Sequence, residues 1–202
     1  MLKKKTIGLL TPANEFPSEY VKIFEKLGVN YKIITNSSIY DGYSGLLCVG
    51  EKKFSFSREE KKFDYLENAD KINIPILGIG WGMEFLNFFY GGKIREDVTL
   101  KEQYDDFNIK HSIFLVPGAK TSFIIGGSGW VSIFSHKDRQ ISNNSLSPNL
   151  FASAYTSNLK IESLEKPGHH WVLGVQWSLD DQKLLPKGFQ NILFSFLDNS
   201  TD

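Results

Sequence analysis

The first ninety residues alternate short apolar runs with segments of helical period, and this alternation constrains the fold more than any other feature. "TIGLL" (6–10), "VNYKIIT" (29–35), "SGLLCVG" (44–50) and "IPILGIG" (74–80) are strand-length runs. Between them lie "SEYVKIFEKLG" (18–28), the charged "SREEKKFDYLENA" (57–69) and "GMEFLNFFYGG" (82–92). Ser18 is placed to cap the first helix and Gly28 to end it, with Tyr20, Val21, Phe24 and Leu27 on one face. Phe63 and Leu66 form the inner face of the second helix. Strands alternating with helices predict a mostly parallel central sheet covered on both faces, an α/β three-layer arrangement.

The later part changes character. "HSIFLV" (111–116), "WVSIFS" (130–135), "LFASAYT" (150–156), "KIESLEK" (160–166) and "WVLGVQW" (171–177) are β-rich runs joined by turn residues, and "GFQNILFSFLDN" (188–199) is an amphipathic helix. The expectation is an added antiparallel β-layer within one domain spanning residues 1–202. A length of 202 residues with 41 % hydrophobic content fits one such domain.

Charge and cysteine content narrow the function classes. Lys plus Arg and Asp plus Glu are both 23, so the net charge is zero and nothing argues for nucleic acid or an anionic membrane. The clusters Lys3-Lys4-Lys5 and Asp105-Asp106 read as solvated surface. The single cysteine, Cys48, excludes an intramolecular disulfide and suits a reducing compartment. The early apolar run is too short for a signal-peptide core, and no segment approaches a membrane span, so the expected location is cytoplasmic.

Chemistry concentrates in "ILGIGWGMEFL" (76–86), where a strand passes through three glycines at alternate positions into a helix. Such an elbow exposes one residue at its apex and turns backbone N–H groups toward an oxyanion. A dinucleotide loop fits poorly, because Gly78, Gly80 and Gly82 lack the G-x-G-x-x-G spacing and follow the fourth strand rather than the first.

"PILGIGWGMEFLNFFYGGKI" resembles the nucleophile segment of class I glutamine amidotransferases, roughly P-I/V-L-G-I-C-x-G-M-Q, and "VLGVQWSLD" is similar to their second signature, L-G-V-Q-F/W-H-P-E. "HSIFLVPGAKTSFIIGG", the histidine of "FSHKD" and "LFASAYTSNLKIESLE" follow the branch of γ-glutamyl hydrolases, peptidase family C26. The resemblance runs from the first strand to the last helix. It implies the class I glutamine amidotransferase architecture, flavodoxin-like in its layering. By the same resemblance the nucleophilic cysteine falls on Gly80, the catalytic histidine on Ser178 and the glutamate that orients it on Asp180. The pocket glutamine falls on Glu84, and the oxyanion-hole glycines fall near Val49-Gly50-Glu51.

Thiol attack on a γ-glutamyl carbonyl needs a thiolate, a base to form it and a group that orients the base. Gly80 has no side chain, a serine hydroxyl at 178 is no general base at neutral pH, and Asp180 has no imidazole to orient. The expectation is a catalytically degenerate relative that keeps the cleft as a binding, regulatory or partner subunit. Relatives that feed ammonia to a synthase make a biosynthetic enzyme the expected partner, with a small molecule in the inherited cleft as the other. Two alternatives stand beside it: an active amidotransferase or hydrolase with chemistry relocated to Cys48, His136 or Asp180, and a protein binding a ligand unrelated to glutamine. Gly50, Trp81, Glu84 and His136 are the candidate pocket residues. Trp81 either faces a ligand or packs beneath the elbow, and Glu84 either disfavours a carboxylate ligand or is a solvated helix residue. Cys48 also reads as a buried strand residue and His136 as a loop residue. His111 reads as a surface residue at a strand end, and His169-His170 as an exposed turn. No cofactor is expected, and the histidines lack metal-ligand spacing.

Overall fold

A computed structural model of the chain describes residues 6–12, 15–35, 42–50, 60–93, 109–135, 141–181 and 183–200. Lys3-Lys4-Lys5, Glu51, residues 57–59, Asp105-Asp106 and His136 lie outside the described residues.

The expected alternation is present as β1 (Ile7–Leu10), α1 (Ser18–Leu27), β2 (Tyr31–Ile34), β3 (Gly45–Gly50), α2 (Glu60–Lys71), β4 (Ile76–Gly80) and α3 (Trp81–Phe89). β5 (Ile109–Leu115), α4 (Lys120–Ile125), β6 (Gly129–Ser135), the two-residue β7 (Ile141–Ser142), β8 (Phe151–Thr156), β9 (Lys160–Glu165), β10 (Val172–Val175) and α5 (Asn191–Asn199) follow. One mixed sheet holds all ten strands in the order β2-β1-β3-β4-β10-β9-β8-β5-β6, with β7 paired to β9. β2, β1, β3, β4 and β10 pair in parallel. From β10 outward every pairing is antiparallel, so the added β-layer continues the parallel sheet edge to edge.

Alternate residues of a strand point to opposite faces, and the central strands feed two cores in this way. Leu9, Leu47, Leu77 and Leu173 join Phe24 of α1 and Ile192 and Phe196 of α5 on one face. Leu10, Leu46, Cys48, Ile76 and Val172 join Leu66 of α2 and Phe85 and Leu86 of α3 on the other. Burial on both sides explains why these strands read as continuous apolar runs.

Local details differ from expectation at α1. Ser18 is its first helical residue, Pro17 holds the capping position, and Ser18 donates instead to Glu19 Oε1 at 3.2 Å. Tyr20, Val21 and Phe24 are buried, but Leu27 is exposed because Gly28 turns the chain out of the helix at φ 67°.

Candidate functional site

Parallel strands deliver their carboxyl ends to one edge of the sheet, and a crevice opens where the following turns diverge. Here a cleft of about 320 Å³ lies over the ends of β3 and β4, between the segment that leads into α1 and the residues that follow β10. Gly50 and Gly80 are register partners across β3 and β4 and both line it.

Each glycine of the elbow answers a different physical demand. Gly80 turns the chain from β4 into α3 with φ 56° and ψ −111°, a region that L side chains enter only with strain. A Cβ on Gly78 would meet the carbonyl oxygen of Gly82 at 2.6 Å. A Cβ on Gly82 would come within 1.9 Å of the carbonyl oxygen of Cys48, so this glycine lets α3 lie directly against β3.

Ser178 and Asp180 both line the cleft, and α1 joins them. Ser178 donates its hydroxyl proton to Asp180 Oδ1 at 2.5 Å. A serine has one proton to give, so the 3.1 Å contact between Tyr20 and Ser178 is a hydrogen bond donated by the tyrosine hydroxyl. The Tyr20 oxygen in turn accepts the Leu179 backbone N–H at 3.1 Å. The chain Leu179 N–H, Tyr20, Ser178, Asp180 ends on a carboxylate, which has no ion-pair partner among the described residues.

The other candidates separate. Gly50 is in the cleft, where a Cβ would meet Pro12 at 2.4 Å and the Glu15 carboxylate at 3.2 Å. The Trp81 side chain is buried between α2 and α3, stacked on Phe85 at 4.9 Å with the Lys62 ammonium 5.7 Å from its ring. Glu84 is half-buried in the first turn of α3, where the helix N-terminus favours a carboxylate. Neither Trp81 nor Glu84 lines the cleft. Cys48 is fully buried in β3, and burial pushes its thiol above the ordinary range, the reverse of what a nucleophile needs.

Two histidine expectations are corrected. His169 is buried, because its turn folds back on the end of α2: Nδ1 accepts the Trp171 N–H at 3.1 Å and Nε2 lies 3.7 Å from Asp70. Desolvation lowers its pKa. His111 lies inside β5, on the same face as Ile113 and Leu115, with its side chain 13 % exposed and Nε2 3.2 Å from the wholly buried Glu162 carboxylate. The other Glu162 oxygen accepts the Ser135 hydroxyl at 3.0 Å.

Three cleft residues are not among the sequence candidates, and two of them carry no sequence signal of their own. Tyr20 reads as ordinary helix core, and Glu15 sits in a turn without a motif. Gln176 is the glutamine of the "VLGVQW" run matched to the second signature, but it is not among the candidate pocket residues. It lines the cleft at 1 % exposure, and both its amide oxygen and its amide nitrogen are buried without a hydrogen-bond partner.

The peptidase C26 family model matches residues 42–178. A Mycobacterium tuberculosis protein provisionally named a glutamine amidotransferase is 28 % identical over 137 residues, which is 63 % of this chain and 43 % of the relative. A Dictyostelium discoideum protein named GMP synthase [glutamine-hydrolyzing] is 29 % identical over 86 residues, 43 % of this chain and 10 % of the relative. The matches thus span less than half of these relatives' own length. Among solved structures, a Thermoplasma acidophilum protein provisionally assigned as a GMP synthase subunit superposes with a TM-score of 0.70 at 19 % identity, over 98 % of this chain and 94 % of that one. That likeness shows a shared class I glutamine amidotransferase fold.

Proposed function

Because this chain belongs to the peptidase C26 family, we propose that it is a catalytically degenerate member which binds in the family's cleft without breaking a bond there. One observation carries the reading. The apex of the elbow is Gly80, and the position of the catalytic base is a serine engaged with Tyr20 and Asp180. Among the described residues lining the cleft there is no thiol and no imidazole.

The energetics support it. In a serine hydrolase, loss of the nucleophile alone lowers turnover by about 10⁶, and what remains comes from the oxyanion hole and binding. Here nucleophile and base are both replaced. Relocated chemistry at Cys48 draws no support from a fully buried thiol held in its protonated form. Asp180 could orient an imidazole, but its near oxygen accepts the Ser178 hydroxyl.

A biosynthetic synthase is the partner class this reading favours. It rests on the names of two similar proteins, one a GMP synthase and the other a component of such a synthase. A single buried cysteine suits a cytoplasmic setting, and no helix among the described residues is long and apolar enough to cross a membrane.

The test is hydrolysis of L-glutamine and of a γ-glutamyl anilide by the purified chain, beside an active C26 enzyme. Release of product at the background rate is expected. Turnover within a hundredfold of the active relative, retained after further purification, overturns the reading.

A further inference from the structure

From the chemistry of the cleft wall we infer that its ligand carries an ammonium group together with a neutral amide-like group, and no carboxylate. The inference rests on the binding role proposed above and narrows it to a chemical class.

Three carboxylates line the cleft, Glu15, Glu19 and Asp180, and no Lys, Arg or His lines it among the described residues. Neighbouring cations face two of the three from outside the cleft. Lys22 pairs with Glu19 at 2.7 Å, and the Lys62 ammonium acts on Glu15 from α2. Asp180 has only the Ser178 hydroxyl and is the carboxylate left for a ligand to neutralise. A negative wall with low-dielectric flanks attracts a cation and repels the free carboxylate of a glutamate-like molecule.

The second requirement comes from Gln176. A buried primary amide with neither its donors nor its acceptor satisfied is costly, and native proteins rarely keep one without a use. It offers two donors and an acceptor, and a carboxamide or similar group on the ligand would satisfy both kinds. Tyr20 and Ser178 are already committed to each other, which leaves Asp180 and Gln176 as the recognition pair. A cleft of about 320 Å³ suits a small metabolite rather than a peptide.

Four probes of matched length separate the two requirements by isothermal titration calorimetry on the full chain: 5-aminopentanamide, pentylammonium, hexanamide and adipamate. The first is expected to bind at least about tenfold more tightly than adipamate, and its affinity is expected to fall as sodium chloride is added. Asp180→Asn keeps an acceptor for Ser178 and is expected to weaken both cationic probes about tenfold. Glu15→Gln is expected to weaken them by less. Gln176→Leu is expected to remove the advantage of 5-aminopentanamide over pentylammonium. Unliganded melting curves show that each variant is folded, and Glu15→Gln serves if Asp180→Asn is not. Equal or tighter binding of adipamate overturns the inference while leaving a binding role intact, and so does silence from all four probes at millimolar concentration. Hydrolysis in the assay above strikes instead at the non-catalytic reading.

Discussion

Gly80 occupies backbone dihedrals that cost a side-chain-bearing residue about 1–3 kcal/mol. Gly80→Cys is therefore expected to fold with a loss of about 1–3 kcal/mol in urea denaturation, and to remain inactive on γ-glutamyl anilides, because Ser178 supplies no base. Adding Ser178→His puts an imidazole next to Asp180. The double variant is expected to alkylate with iodoacetamide at a pH well below that needed by the single variant, as thiolate formation requires a neighbouring base or cation. Efficient hydrolysis by Gly80→Cys alone would show that a base stands elsewhere. Gly82 is constrained by space rather than by dihedral angle. Gly82→Ala drives a methyl to 1.9 Å from a β3 carbonyl, which must push α3 off the sheet, and a loss of about 3 kcal/mol or more is expected in the same denaturation experiment.

Between elements, Tyr20 is the joint that ties α1 to the residues following β10. Tyr20→Phe removes its hydrogen bond to Ser178 and leaves the buried Leu179 N–H without its acceptor. The expected loss is about 1–2 kcal/mol, with faster amide hydrogen exchange at Leu179, and unchanged exchange there would assign the joint no role. Nothing in the sequence marks this joint, because Tyr20 satisfies the helical apolar period as Val21 and Phe24 do, and periodicity is blind to a hydroxyl. The elements legible in the sequence are those whose pattern is set by burial on both faces, such as β3, β4 and β10. α4 leaves no such trace: it has six residues, and its start is held from a distance, with Glu165 accepting the Lys120 and Thr121 N–H groups and the Thr121 hydroxyl. The same limit explains the histidines. His111, largely covered, and His169, buried, face carboxylates on β9 and α2, partners 51 and 99 positions away in the chain, so local polarity suggests exposure for both. The glycine elbow is legible because steric demand on three alternate positions within five residues leaves a local trace.

On the scale of the molecule, a neutral net charge still contains a local imbalance: Glu15, Glu19 and Asp180 line the cleft, while Lys22 on α1 and Lys62 on α2 stand outside it. Lys62 shows the cost of that arrangement. Its side chain is buried against the Trp81 ring, and burial lowers its ammonium from the ordinary 10.5 to about 8, with the Glu15 carboxylate pulling the other way. Below about pH 8 the group is charged in both the folded and the unfolded chain, and the folded state bears the whole burden of holding a desolvated charge. Between about 8 and 10.5 the unfolded chain keeps the proton that the folded chain has released, so this group makes stability rise with pH across that window. Denaturation midpoints measured from pH 7 to 10.5 are expected to carry that upward component in the native chain and to lose it in Lys62→Met. If the two proteins differ by a constant amount at every pH, Lys62 titrates alike folded and unfolded, and the cation behind Glu15 is simply solvated.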